Sequence, residues 1–236
     1  MESQRSKISF HNIFHRIKYA LRNEGLRVTL LKIYTLLNDR LFDIRYGLDT
    51  CNLTELEELT ITSENKDRGV SYQPSRVIPL KKLFSEIRPY MPADSVFVDF
   101  GCGKGRVLLI AKTFGFSEVR GIEFASELCE IARKNCSVFE TNTGLNTPCR
   151  IIEADVTTYS INPDENVFFL FNPFDEEVLQ KVISGISNSL KFRHRKVLII
   201  YHFPKFINVF DRSMEYERLQ DFDFWGYKFT VYSNIA

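Results

Sequence analysis

The chain has 236 residues, 44% of them hydrophobic, and its basic and acidic side chains nearly cancel to a formal charge of +1. That is long enough for one domain with a proper core and an added segment, and too close to neutral to imply a strongly polyanionic partner. Five scattered cysteines without a C-x-x-C pair argue against a disulfide framework or a structural zinc site, and no apolar run nears the roughly 20 residues that span a bilayer. With no apolar secretory core at the start, a cytoplasmic protein is expected.

Residues 1–70 are expected to form a helical extension followed by a lid or connector. Phe10, Ile13, Phe14, Ile17 and Leu21 recur at helical spacing among His11, Arg16, Lys18 and Arg22, and Gly25 offers a stop. A second run carries Leu30, Ile33, Tyr34, Leu37 and Leu41. The favoured reading is a helical cap packed on a catalytic domain with its charges in water. The cationic amphipathic pattern also leaves peripheral membrane contact open, and nucleic acid as a less favoured partner. His11 and His15 stand four apart without matching metal ligands. From Asp43 to Gln73 the chain is polar and irregular, so it reads as the connector. Leu80, Leu83, Phe84 and Ile87 then mark a helix with Pro79 in its first turn, ended by Pro89 and Pro92.

The most informative stretch is Val96 to Ala111. Three apolar residues, Val96 to Val98, lead to Asp99, and Gly101, Gly103 and Gly105 follow on alternate positions. Val107, Leu108, Ala111 and Phe114 then give one apolar helix face, so the stretch reads as buried strand, tight turn and helix. Glycines suit a backbone that takes positive φ or lies against a ligand, and Cys102 between them is a small spacer rather than a nucleophile. A dinucleotide loop has the spacing G-x-G-x-x-G and cradles an anionic pyrophosphate. This one is D-x-G-x-G-x-G, and the leading acid suits a ligand with a cationic end.

A second strand, Glu118 to Phe124, contains Glu123, at the interval where doubly wound folds place a carboxylate on a ribose. Ser126 is the expected cap of a helix bearing Leu128, Ile131, Ala132 and Phe139. A third strand, Cys149 to Ala154, leads to Asp155. A fourth, Asn166 to Phe171, leads to Asn172, Pro173 and Phe174, with Asp175 capping the next helix. A fifth, Lys196 to Tyr201, precedes His202, a candidate proton acceptor, although a lone His is more often structural. Tyr216 to Ser233 reads as a hairpin turning at Gly226. Strands alternating with helices make this an α/β doubly wound, mostly parallel sheet with an antiparallel C-terminal hairpin.

VFVDFGCGKGRVLL resembles motif I of the class I S-adenosylmethionine-dependent methyltransferases, and together with Tyr72-Gln73-Pro74-Ser75 it looks like the DOT1-type lysine methyltransferases and their small prokaryotic relatives. The resemblance covers residues 71–236 and implies a seven-stranded Rossmann-like domain with S-adenosylmethionine as cofactor. On that likeness Asp99, Gly101, Gly103 and Gly105 hold the methionine part, Glu123 the ribose and Asp155 the adenine amino group. Asn172-Pro173-Phe174 resembles the [DN]-P-P-[YF] motif of amino-group methyltransferases, with one proline fewer. Asn172, Pro173, Phe174 and Tyr72 are therefore the expected acceptor-site residues. The reaction implied is methyl transfer to an amino nitrogen of a protein lysine or similar amine. A nucleic-acid or small-molecule N- or O-methyltransferase, and a noncatalytic S-adenosylmethionine-binding module, remain alternatives. No catalytic metal is expected, because attack on a sulfonium methyl needs an aligned nucleophile rather than a Lewis acid.

Overall fold

The structure is a computed structural model that describes residues 21–52, 72–171, 175–213 and 215–234. Seven strands form one sheet in the order β3-β2-β1-β4-β5-β7-β6, with β1 Val96–Phe100, β2 Glu118–Glu123, β3 Cys149–Glu153, β4 Glu165–Phe171, β5 Leu198–His202, β6 Tyr216–Phe224 and β7 Tyr227–Asn234. The first five strands are parallel, and β7 runs antiparallel between β5 and β6. The helices among the described residues include α1 Gly25–Tyr46, α2 Val77–Ile87, α3 Arg106–Ala111, α4 Ser126–Thr143, α5 Glu176–Phe192 and α6 Asn208–Ser213.

The central strands are buried on both faces, which is why they read as continuous apolar runs rather than alternating ones. Phe97, Phe169 and Ile200 face α2 and α3, whereas their neighbours Val98, Phe168 and Ile199 face α5. That is the period-two alternation of a pleated strand. The sheet order reverses direction between β1 and β4. In open sheets of this kind ligands sit beyond the carboxyl ends of the strands at such a switch point. The C-terminal hairpin turns at Trp225 and Gly226, whose φ values of 60° and 90° are the two positive angles a two-residue hairpin loop demands.

Several expectations are corrected. Cys136 of α4 and Cys149 of β3 form a disulfide with Cα atoms 6.5 Å apart, which scattered spacing in sequence conceals because the crossover brings α4 back beside β3. The α4 cap position is Ala125, and Ser126 is already the first helical residue without a capping bond. The helix after the glycines ends at Ala111, and Phe114 lies in a 3₁₀ turn, Lys112–Phe114.

The largest correction concerns α1. It extends through Tyr46, past the expected start of the connector at Asp43, and it is turned opposite to the expected cap. Thr29, Thr35, Asp39 and Asp43 are buried, whereas Leu26, Leu30, Tyr34, Leu37, Leu41 and Ile44 are exposed. The reason is polar: Asp39 pairs with the half-buried Arg76 and lies near the buried Arg106, while Asp43 accepts the Thr50 amide and hydroxyl and the Cys51 amide beside Arg106. Phe42 supplies an apolar contact, packing beside Phe139 of α4. The expected boundary at residue 70, the first helical run with His11 and His15, and most of the connector lie outside the described residues.

Candidate functional site

The site is built where β1 and β2 end. Gly101 and Cys102 both donate their amides to the Ile122 carbonyl, at 2.8 and 3.1 Å, so the loop folds over the end of β2. Glu123 fixes the next step: its Oε2 accepts the Gly103 amide at 2.9 Å, and its Oε1 accepts the amides of Phe124 and Ala125 at 2.9 and 3.1 Å. The carboxylate expected to face a ribose thus also clamps the glycine loop.

All three loop glycines have positive φ, 79°, 51° and 84°. At Gly103 there is a second requirement, because a Cβ would lie 2.3 Å from the ring of Tyr72. That ring is held from its far end, where the hydroxyl donates to the Thr50 carbonyl at 2.9 Å. It packs against Ala125 and Leu128, and the Lys104 ammonium sits 5.6 Å from its centroid. Tyr72 and Gly103, separated by thirty-one positions in the chain, are therefore in direct contact.

Asp99 is buried near Glu123, and its carboxylate accepts no hydrogen bond among the described residues. Burial first, and the Glu123 charge second, hold its carboxyl well above the ordinary range. Glu123 is also raised by burial, but its three backbone donors oppose that shift. Asp99 thus differs from Glu123 in having no donors to offset its burial. Between the ordinary carboxylate range and the raised folded value, the folded state binds more protons than the unfolded chain. Stability must consequently fall as pH rises through that window. Asp99→Asn should flatten this fall, which urea denaturation over a pH series would measure; an unchanged slope would place the proton elsewhere.

Cys102 is buried beside both acids, and burial followed by their charges pushes its thiol well up, so it stays protonated. This agrees with a spacer. Its position demands a glycine on the neighbouring strand, since a Cβ on Gly121 would fall 2.5 Å from the Cys102 sulfur. Asp155 follows β3, beside Glu123, because the amide of the preceding Ala154 donates to the Glu123 carbonyl at 2.9 Å. Its Oδ1 accepts the Thr157 amide and hydroxyl at 2.8 and 2.7 Å, a local turn contact. Asn172, Pro173 and Phe174 lie outside the described residues. Asp175 does cap α5, accepting the Val178 amide at 3.0 Å.

His202 is enclosed rather than presented. Its ring lies among Phe171, Phe229 and Phe203, with centroids 4.2, 4.1 and 4.5 Å away, and its Nδ1 is 3.3 Å from Ser75 Oγ. Burial, then the Arg76 charge, depresses its pKa well below the usual value, so the ring is neutral.

A network behind the loop escaped sequence reasoning. Arg106, the residue after Gly105, is 1% exposed. It donates to Thr50 Oγ1 at 2.7 Å and the Ser75 carbonyl at 3.1 Å, and lies 3.4 Å from Asp39 and 3.7 Å from Asp43. Asn135 of α4 joins the same elements, donating to the Lys104 and Asp49 carbonyls at 2.9 and 3.1 Å and accepting the Asp49 amide. The one signal in the sequence was Asp39 and Asp43, four apart and hence on one helix face.

A mostly parallel sheet in the order 3-2-1-4-5-7-6, with a glycine loop clamped at the ends of β1 and β2, decides the fold. It is the Rossmann-like methyltransferase fold. Solved structures agree: one assigned as a methyltransferase from Escherichia coli is 16% identical with a TM-score of 0.50, the match covering 67% of this chain and 87% of that one. Another, assigned as an rRNA methylase from Clostridium thermocellum, is 12% identical with a TM-score of 0.51, covering 66% and 96%. No protein-family model matches the chain. No curated protein matches it in sequence either. At such identities the likeness to this methyltransferase fold extends to architecture, not to substrate.

Proposed function

We propose that this protein is an S-adenosylmethionine-dependent methyltransferase acting on an amino nitrogen. The observation that carries the reading is Asp99, a buried carboxyl without hydrogen bonds beside a glycine loop that Glu123 clamps. A ligand with an ammonium end supplies the partner that Asp99 lacks, and a nucleoside supplies hydroxyls to Glu123. In this reading Asp99, Gly101, Gly103 and Gly105 hold the amino-acid end, Glu123 the ribose and Asp155 the adenine. When bound, the cofactor supplies an electrophilic methyl group on a sulfonium.

The chain must then orient the acceptor. A nitrogen can present its lone pair to the methyl group only if its hydrogens are held to the side, and Asn172 with the Pro173 carbonyl would accept them. Phe174 and Tyr72 would form the walls, and a cationic amine against a ring gains about 0.5 to 2 kcal/mol. The ring of Tyr72 on Gly103 supports its placement beside cofactor and acceptor, as the likeness to DOT1-type enzymes implies. A lysine acceptor must also lose a proton before attack, to solvent or to a nearby base.

Titration calorimetry with S-adenosylmethionine and NAD tests the cofactor, and radiolabelled methyl transfer to cell extract tests turnover. Binding of NAD but not S-adenosylmethionine would refute the reading. Once an acceptor is found, Asn172→Ala should lower kcat by about tenfold or more with cofactor affinity nearly unchanged, because the lost contact is to the acceptor. Methylation on oxygen or carbon, or unimpaired turnover, would refute the amino-nitrogen assignment.

A further inference from the structure

The exposed face of α1 has no role in the proposed catalysis, and it is the most anomalous surface among the described residues. Soluble helices bury their apolar stripe and expose their charges. Here the order is reversed. At 3.6 residues per turn, Leu26, Leu30, Tyr34, Leu37, Leu41 and Ile44 fall within an arc of about 80° and extend for about 27 Å. All six are exposed, Leu37 by 57% and Leu41 by 59%. Arg40 lies on one border of the stripe and Arg27 and Arg45 on the other, and all three are exposed. The two acids of α1, Asp39 and Asp43, point the opposite way and are buried. Glu24, just before the helix, is bound to Lys32 at 2.6 Å.

We propose that this face of α1 docks on an anionic lipid surface, with the leucine stripe in the headgroup and acyl boundary and the arginines on lipid phosphates. The charge pattern selects that occupant. A helix lying in a membrane interface needs an apolar stripe bordered by basic residues, and its binding grows with both buried apolar area and anionic lipid. A second copy seated on this face would set arginines against arginines, with no acid of either helix between them. A polynucleotide would satisfy the arginines through its phosphates but leave six large apolar side chains in water. The preceding sequence continues the bias, with Arg5, Lys7, Arg16 and Lys18 against Glu2 and with Phe10, Ile13, Phe14 and Ile17 among them. The buried acids make the orientation firm, because Asp39 and Asp43 anchor the polar side of α1 to Arg76 and Arg106. Docking would therefore bring the whole catalytic domain, with its glycine loop just behind the anchor, to the membrane surface.

The test is sedimentation of the full chain with vesicles, and it does not depend on the proposed enzyme activity. Vesicles containing phosphatidylglycerol should bind it about tenfold or more tightly than pure phosphatidylcholine, since each basic residue near an anionic surface strengthens binding severalfold. Leu37→Glu combined with Leu41→Glu should reduce binding to both by about tenfold or more, with circular dichroism and melting temperature unchanged because both positions are exposed. Replacing Arg27, Arg40 and Arg45 together by glutamine should remove the preference for anionic lipid while leaving the fold intact. No sedimentation with either vesicle, or binding that the leucine variant leaves unchanged, would overturn the proposal. So would a dimer that the leucine variant dissociates, or retention on RNA, in a protein that ignores vesicles.

Discussion

Valine in place of Gly103 should reduce S-adenosylmethionine affinity by about tenfold or more, the largest effect expected of any single change in the loop. Two costs act together. The backbone at Gly103 has φ 51°, where an L side chain costs about 1 to 2 kcal/mol. Its Cβ would also stand 2.3 Å from the Tyr72 ring, which cannot swing aside freely because its hydroxyl is tied to Thr50. The loop must therefore leave its conformation, breaking the Gly103 amide bond to Glu123 and depopulating the state able to bind; a loss of about 1.4 kcal/mol already means tenfold. Calorimetry on the variant and on Gly103→Ala combined with Tyr72→Ala separates the two costs. The double variant removes the ring but keeps the backbone strain, so it should recover part of the affinity if Tyr72 is the obstacle. Normal affinity in Gly103→Val would show that the cofactor binds elsewhere.

How legible this was depended on whether the determinant was local. The glycine loop, the strand ends at Asp99 and Glu123, the Asp175 cap and the hairpin at Gly226 are set by residues near one another in sequence, and their spacing revealed them. The partner of Gly103 was not legible as such. Tyr72 was singled out through resemblance alone, and only the folded chain places its ring on the loop. Gly121 carried no signal because its requirement comes from Cys102 on another element. The Cys136–Cys149 pairing depends likewise on the return of β3 along α4. For α1 the period was right and the side was wrong. Hydrophobic spacing predicts which residues share a face, but not whether that face meets the core, and here two buried aspartates, Asp39 on Arg76 and Arg106 and Asp43 on Thr50 and Cys51, override the leucines. Asp39 and Asp43 are what fixes the helix.

That override can be measured, because Asp39→Ala should destabilise the protein by about 3 to 5 kcal/mol, the usual cost of removing one partner from a buried ion pair. Asp39 accepts Arg76 Nη1 at 2.7 Å and lies 3.4 Å from Arg106. It also accepts the Val77 amide at 2.9 Å and so caps α2, whose own N-cap residue, Arg76, makes no side-chain capping bond. Alanine would leave an amide without its acceptor and remove a carboxylate from two arginines, one of them fully buried. With total stability of domains typically about 5 to 15 kcal/mol, this is a large fraction of the whole. Asp39→Asn can still accept from Val77 but carries no charge, so it should fall between the wild type and alanine. Leu37→Ala on the exposed side of the same helix should change stability by less than about 0.5 kcal/mol. Urea denaturation of the three variants therefore weighs the two faces of α1 directly. A loss for Asp39→Ala no larger than for Leu37→Ala would mean that α1 is not held by its acids. Because Arg106 directly follows Gly105, the alanine variant should also weaken S-adenosylmethionine binding without touching the cofactor site itself, whereas Leu37→Ala should leave it unchanged.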